Sequence, residues 1–487
     1  MKNLCFCFFL IISFLSCSGN FNITEHSETY PELFPDYINT TIPPNIAPLN
    51  FSLQEKNDDA LVKFEHKDFT FQIYSTDGTF DIPLKKWKRL LQVASGNEFS
   101  VTVCVKTDKG GKEYAPFKIN VAREPIDSYI AYRLIDPGYS LWNEMGIYQR
   151  ELSSFKETVL YENKLTQNNC VNCHSFCQQD PSQMLFHMRG NHAGTILIQE
   201  GEIKIIQPDA KKNIPSLVYP YWHPSGQFIA FSTNKTTQDF HPTQRVEVFD
   251  HSSDVFVYDI KRNERLSTPF LDSKNNMETF PSFSPDGKTL YFCTAQAQPV
   301  PDSINRLKYN LCSVSFDINS RSFGNQIDTL FNAEKENKSI SFPRVSPDGK
   351  YLLCTVSGYG TFPIWHKDAD LYLVDMNTKQ GRFLKTFNSN DTESYHSWSS
   401  NSRWVIFSSR RIDGLYTRPF IAYLSEDGME GKPFLLPQKD PSYYTLLMKS
   451  FNIPEFCTDK VTFSQVDIMQ KVKEETDTKF IGENSVN

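Results

Sequence analysis

The chain lacks clustered Lys and Arg, a regular cysteine framework and a second Cys/His pair that would complete a structural zinc site. Each absence removes a class of function. With 50 Lys and Arg against 57 Asp and Glu, a net charge of −7 and a pI near 5.9, there is no cationic stripe for phosphates, which argues against nucleic acid as a partner. The 11 cysteines show no disulfide spacing, and Cys293 and Cys354, at neighbouring positions of a repeat strand, read as buried free thiols. Leu4 to Phe14 is apolar apart from Ser13, but too short to span a bilayer. Behind Lys2 it reads as a signal peptide.

What is present is led by Cys170-Val171-Asn172-Cys173-His174, the C-x-x-C-H spacing of covalent c-type haem attachment: two thiols for the vinyl groups and an imidazole for iron. Given 11 Cys and 10 His in 487 residues, chance yields about 0.005 such pentapeptides per chain. Two other readings stand beside it. Cys177 would complete a Cys3His zinc set with Cys170, Cys173 and His174, and the Cys pair alone would serve as a disulfide or redox pair.

The signal peptide covers residues 1–17 and ends Phe14-Leu15-Ser16-Cys17, which resembles a bacterial lipobox with Cys17 as the lipidated residue. Export agrees with haem, which is attached outside the bacterial cytoplasm. Residues 18–44, polar and ending Thr41-Ile42-Pro43-Pro44, read as a tether. Residues 45–122 alternate with period two at Leu61–Phe64, Phe69–Tyr74, Phe99–Val105 and Ala115–Val121, with turns at Asp77-Gly78 and Gly110-Gly111. This pattern predicts a small β-sandwich of the fibronectin III or immunoglobulin kind, with a short helix around Trp87 packed on a sheet. Residues 123–183 form a connector that carries the haem motif. Its stretch Ser140 to Leu160 has partial helical spacing.

Beyond the motif the chain repeats. Tyr219-Pro220-Tyr221-Trp222-His223-Pro224-Ser225-Gly226 is echoed from Phe280, from Phe342 and, more weakly, from Tyr395. The first three copies stop at a proline, and all four turn at Asp-Gly or its equivalent and continue as an apolar strand. Two further strands per repeat make four, the content of a propeller blade. The Pro-x-Phe-Ser-Pro-Asp-Gly-Lys turns resemble those of TolB-like β-propellers, also found in prolyl oligopeptidases, over about residues 184 to 440. The order of signal, small β domain, C-x-x-C-H, Met184-Leu185-Phe186-His187-Met188-Arg189-Gly190 and propeller resembles a group of Bacteroidetes lipoproteins labelled cytochrome c biosynthesis or TolB-like proteins. No Gly-x-Ser-x-Gly elbow occurs, so the peptidase branch lacks its chemistry here. The expected fold is all-β, a propeller over residues 184–458 with five blades visible and a sixth that Tyr443 to Phe456 completes with N-terminal strands. Residues 459–487 are expected to be a polar, frayed tail.

With one covalent haem c, His174 is the proximal ligand. Candidates for the sixth position are Met184, Met188, His187, His192 and Met145, with Met184 and His187 favoured. Met184 and Met188 share one strand face, His187 and Arg189 the other, so His187 would ligate iron while Arg189 pairs with a propionate. A second conceivable centre is a propeller-mouth metal held by His223, His396, His241 and His251 with Asp239 and Asp250.

The expected protein is a periplasmic or envelope lipoprotein, anchored to the inner or outer membrane. It would transfer or sense electrons by docking an envelope redox partner. The alternatives are a propeller that binds protein or glycan with structural or no haem, and a mouth-bound metal or haem enzyme.

Overall fold

A computed structural model describes residues 22–55, 59–67, 69–136, 144–190, 192–207 and 217–483. The signal peptide and Cys17 lie outside the described residues. Most regular structure is β. Among the described residues no helix is long and apolar enough to cross a membrane.

Six four-stranded antiparallel sheets are arranged as propeller blades are. Blade 1 joins Tyr129–Ile135, Gly146–Glu151 and Glu157–Glu162 to a late strand, Ser450–Cys457, which pairs with Tyr129–Ile135. Blades 2 to 6 are consecutive four-stranded sheets and begin with the inner strands Val171–Phe176, Val218–Trp222, Asn276–Phe283, Ser339–Val345 and Glu393–Trp398. Neighbouring inner strands pack on one another all the way round, and Ser450–Cys457 lies between those of blades 6 and 2. The ring is therefore closed by a strand from late in the chain completing a blade begun early.

Four sequence expectations are corrected. The supposed helix at 140–160 supplies two blade 1 strands, Gly146–Glu151 and Glu157–Glu162, because their backbones pair with each other and, for the first, with Tyr129–Ile135. The connector is thus part of the ring, which begins at Tyr129. Blade 2 likewise begins with the pentapeptide strand itself, not after it. The tail is not frayed along its length: in the helix Gln465–Glu483, Ile468 and Val472 are buried against blades 1 and 2.

The fourth correction concerns residues 22–44, which are no tether. Ile23–His26 and Thr41–Ile42 pair in parallel with strands of the N-terminal sheet, and Leu33, Tyr37 and Ile42 are buried. The N-terminal region is a mixed seven-stranded sheet beside a three-stranded one. The expected strands lie at Ala60–His66, Phe69–Ser75, Glu98–Thr107 and Phe117–Val121. The helix Leu84–Ala94 buries Trp87, Leu90, Leu91 and Ala94, with Trp87 edge-on to Phe64 and Phe99. This sheet and helix share a continuous core with blades 1, 5 and 6. Trp404 Nε1 donates to the Glu124 carbonyl at 3.1 Å across the junction.

Candidate functional site

The centre of the ring is built from a bulge that recurs in every blade. In each inner strand two residues face one on the neighbouring strand. The first of the two has positive φ: Cys173 at 52°, Tyr219 at 47°, Phe280 at 51°, Phe342 at 52°, Tyr395 at 50° and Ile453 at 50°. The second is His174, Pro220, Pro281, Pro343, His396 or Pro454. None of the first residues is glycine, so each conformation costs about 1–2 kcal/mol. Packing at the axis offsets this. Phe280 and Phe342 have ring centroids 4.1 Å apart, Tyr219 and Phe280 4.5 Å, Phe342 and Tyr395 5.2 Å, each pair worth about 0.5–1.5 kcal/mol beyond its buried area. Tyr219 also reaches Phe342 two blades away, at 6.0 Å. The bulge residues thus plug the channel.

On one side of the plug the channel opens into a cavity of about 330 Å³. Its walls are the C-terminal halves of the inner strands and the turns after them. Ser175, Tyr221, Arg344, Ser397 and Glu455, each just past its bulge, line it with Tyr395, His396 and Trp398. The Arg344 guanidinium donates to the Pro343 carbonyl at 2.9 Å and lies 4.9 Å from the Tyr221 ring centre. Among the described residues it makes no ion pair with a carboxylate. Burial lowers its pKa. Glu455 accepts from the Phe176 backbone N–H at 3.1 Å, and burial pushes its pKa up to about 8, so at neutral pH it is mostly a protonated donor. At pH 7 the cavity therefore carries one uncompensated cation.

The other end of the channel lies beneath a long hairpin, Phe228–His241 and Arg245–Asp259, whose outer half projects past blade 3. It extends to blade 5: Tyr359 donates to Glu247 at 2.9 Å and Thr361 to Asp250 at 3.0 Å, while His366 Nε2 lies 3.3 Å from Glu247. Asp250 also accepts from Asn234 at 2.8 Å and Thr236 at 2.7 Å.

The haem candidates are not gathered into one ligand set. Cys173 belongs to the axial plug. Cys170 packs in the core between blades 1 and 2 with Met145, Tyr161 and Phe176, its Sγ 3.6 Å from the Asn172 amide. His174 is wedged against the backbone of Ala131 and Ile453, with neither ring nitrogen closing a hydrogen bond of good geometry. Its blade 6 counterpart, His396, sits in the same way against blade 5, Nε2 meeting the Leu353 carbonyl at 2.9 Å. Met184 and Met188 are fully buried in the blade 1 and 2 core. His187 lies on the opposite strand face beside Thr195, at 3.1 Å, and Arg189 is exposed. His174 and His187 thus flank a β-sheet, which leaves no place for a porphyrin between them. This arrangement does not fit a haem held axially by His174 and His187.

The other proposed centres are dispersed too. Cys177 Sγ donates to the His223 carbonyl. His223 bridges Ser225 and the Gly287 carbonyl, whereas His251 pairs with Thr237 on the hairpin. Among the described residues no three His, Cys, Asp or Glu side chains form a metal-binding group.

Sequence reasoning missed Arg344 and Glu455. The available signal was the residue after each repeat proline: Tyr221, Ser282, Arg344 and Glu455 vary in chemistry where the flanking positions do not.

No family model and no curated protein matches this chain. In structure it is distantly similar to β-propeller proteins. An oligogalacturonate lyase from Vibrio parahaemolyticus aligns at 10% identity and TM-score 0.32 over 58% of this chain and 85% of its own. Prolyl oligopeptidase B from Galerina marginata aligns at 10% identity and TM-score 0.36 over 63% of this chain, which spans 44% of it. A DUF4784 family protein from Bacteroides caccae aligns at 8% identity and TM-score 0.30 over 73% and 95%.

Proposed function

We propose that the protein is an envelope-exported binding module that takes a small ligand in the open end of its plugged channel. The observation that carries this reading is a cavity closed at its floor by packed aromatic rings and walled by polar side chains not committed to one another. Pockets of about 300–1,000 Å³ with a few convergent polar groups on an apolar wall suit small molecules. The envelope location rests on the N-terminal apolar run and its lipobox-like end. The test is a fragment screen by ligand-observed NMR on the mature chain, beside Ser397→Phe, which fills the cavity. Fragments that bind the wild type and not the variant support the reading. An absence of such fragments overturns it.

Covalent haem, with electron transfer or redox sensing, rests on the pentapeptide alone. Expression in a haem-maturing host, with a reduced spectrum and peroxidase-stained mobility beside Cys170→Ala/Cys173→Ala, decides between the two. The binding-module reading expects a colourless protein. A c-type band that the double variant loses would instead establish a haem protein.

A further inference from the structure

This inference deepens the proposed binding role and rests on it. We infer that the cavity recognises a small organic monocarboxylate, one ring in size, whose carboxylate meets the Arg344 guanidinium while its body lies against the aromatic wall.

Three observations lead there. First, Arg344 projects from the blade 5 inner strand into the cavity with one hydrogen bond, to its neighbour's carbonyl, and an aromatic face beside it. A guanidinium presents five donors in a planar fork that matches a carboxylate in two parallel bonds. Most of that fork is free, and a half-buried cation without a counter-charge favours an anion that supplies one.

Second, the charge balance selects a monoanion. The other carboxyl facing the cavity, Glu455, is held by the Phe176 N–H and is surrounded by Tyr221, Cys177, Cys457 and Arg344. With Glu455 protonated, Arg344 neutralises one negative charge, and a phosphate dianion would leave a second charge in a largely aromatic site. Third, the ligand's body meets Tyr221, Tyr395 and Trp398, flat faces suited to a ring. A cavity of about 330 Å³ takes one ring and its substituents.

The experiment uses phenylacetate and D-glucuronate, each beside its primary amide, with inorganic phosphate as a separate arm. Binding is read by ligand-observed NMR and by the melting temperature of the mature chain. At least one acid is expected to bind at pH 7, at least tenfold more tightly than its amide. Arg344→Met, which keeps the packing of the stem, is expected to lose at least tenfold in affinity for the acid and to leave the amide unchanged. Arg344→Lys, which keeps charge without the fork, falls between, and serves if the Met variant does not fold.

Amides that bind as well as the acids would overturn the carboxylate assignment, as would phosphate binding more tightly than either acid. Both outcomes leave the binding module standing if fragments still depend on Ser397. Failure of every probe overturns the assignment, and failure of the fragment screen as well removes the binding role beneath it.

Discussion

His174 and His396 stand at the same step of two inner strands, each one residue past a left-handed bulge residue and each pressed against the backbone of the preceding blade. Four other blades carry proline at that step. The backbone there therefore accepts a fixed φ and needs no N–H.

It follows that His174→Pro keeps the fold. Urea unfolding is expected to place it within about 1 kcal/mol of the wild type. His174→Asp, which buries an unpaired carboxylate, is expected to lose about 3 kcal/mol or more. A proline variant as damaged as the aspartate variant would sink the equivalence of the two histidines.

Burial drives the pKa of His396 down to about 3, with Arg344 adding to the shift, and that of His174 down to about 3 as well. The unfolded chain binds these protons near pH 6.5 and the folded chain does not. The contribution of these histidines to stability is thus full above pH 6.5 and falls as the pH drops from 6.5 towards 3. At pH 5 each such histidine removes about 2 kcal/mol. His396→Pro should therefore flatten the fall in melting temperature between pH 7 and pH 5, and an unchanged slope would refute the assignment.

Glu455 shows the opposite sign. Its folded pKa of about 8 exceeds its unfolded value of 4.5, so the folded chain holds the extra proton between these values. The contribution of Glu455 to stability is greatest below pH 4.5, declines as the pH rises to 8 and is level above. Glu455→Gln removes the decline and should raise stability at pH 8.5 by about 1–3 kcal/mol, allowing for partial exposure of the group. The same variant should keep acid binding at pH 9, where the wild type, with Glu455 ionised beside Arg344, weakens. Parallel pH profiles for both proteins would contradict this.

Asp250 gathers Asn234, Thr236 and Thr361 at the hairpin. Asp250→Ala leaves three donors without their acceptor, a loss of about 2–3 kcal/mol confined to that end. Limited trypsinolysis at Arg245 should accelerate by about 30-fold or more, with little change in global unfolding. Resistance equal to the wild type would show that the hairpin is held by other contacts.

The turns Ser284-Pro285-Asp286-Gly287 and Ser346-Pro347-Asp348-Gly349 made blades 4 and 5 legible because local chemistry alone specifies them. Asp286 accepts from Ser284 and Lys288, Asp348 from Ser346 and Lys350. The inner strand of blade 2 and the early strands of blade 1 were not legible as blade strands, the first for a physical reason. The bulge requires a side chain that fills the axis and a successor that needs no backbone pairing, and Cys173-His174 and Ile453-Pro454 meet that requirement without resembling Phe-Pro. Thiols three residues apart next to an imidazole match a chemical motif equally well, and only the register separates the two meanings. The cavity was illegible because Arg344 and Glu455, on strands two blades apart in the ring, meet only after closure.

Closure has a consequence for how the protein is made. Tyr129–Ile135 emerges from the ribosome long before Ser450–Cys457, the strand that pairs with it. Until all the intervening blades have followed, blade 1 presents an open edge that other strands are able to claim. A chain exported in an extended form would complete its ring only after translocation has nearly finished. Quality control of this protein would therefore act on nascent, uncircularised chains, and a stalled intermediate would be an aggregation seed.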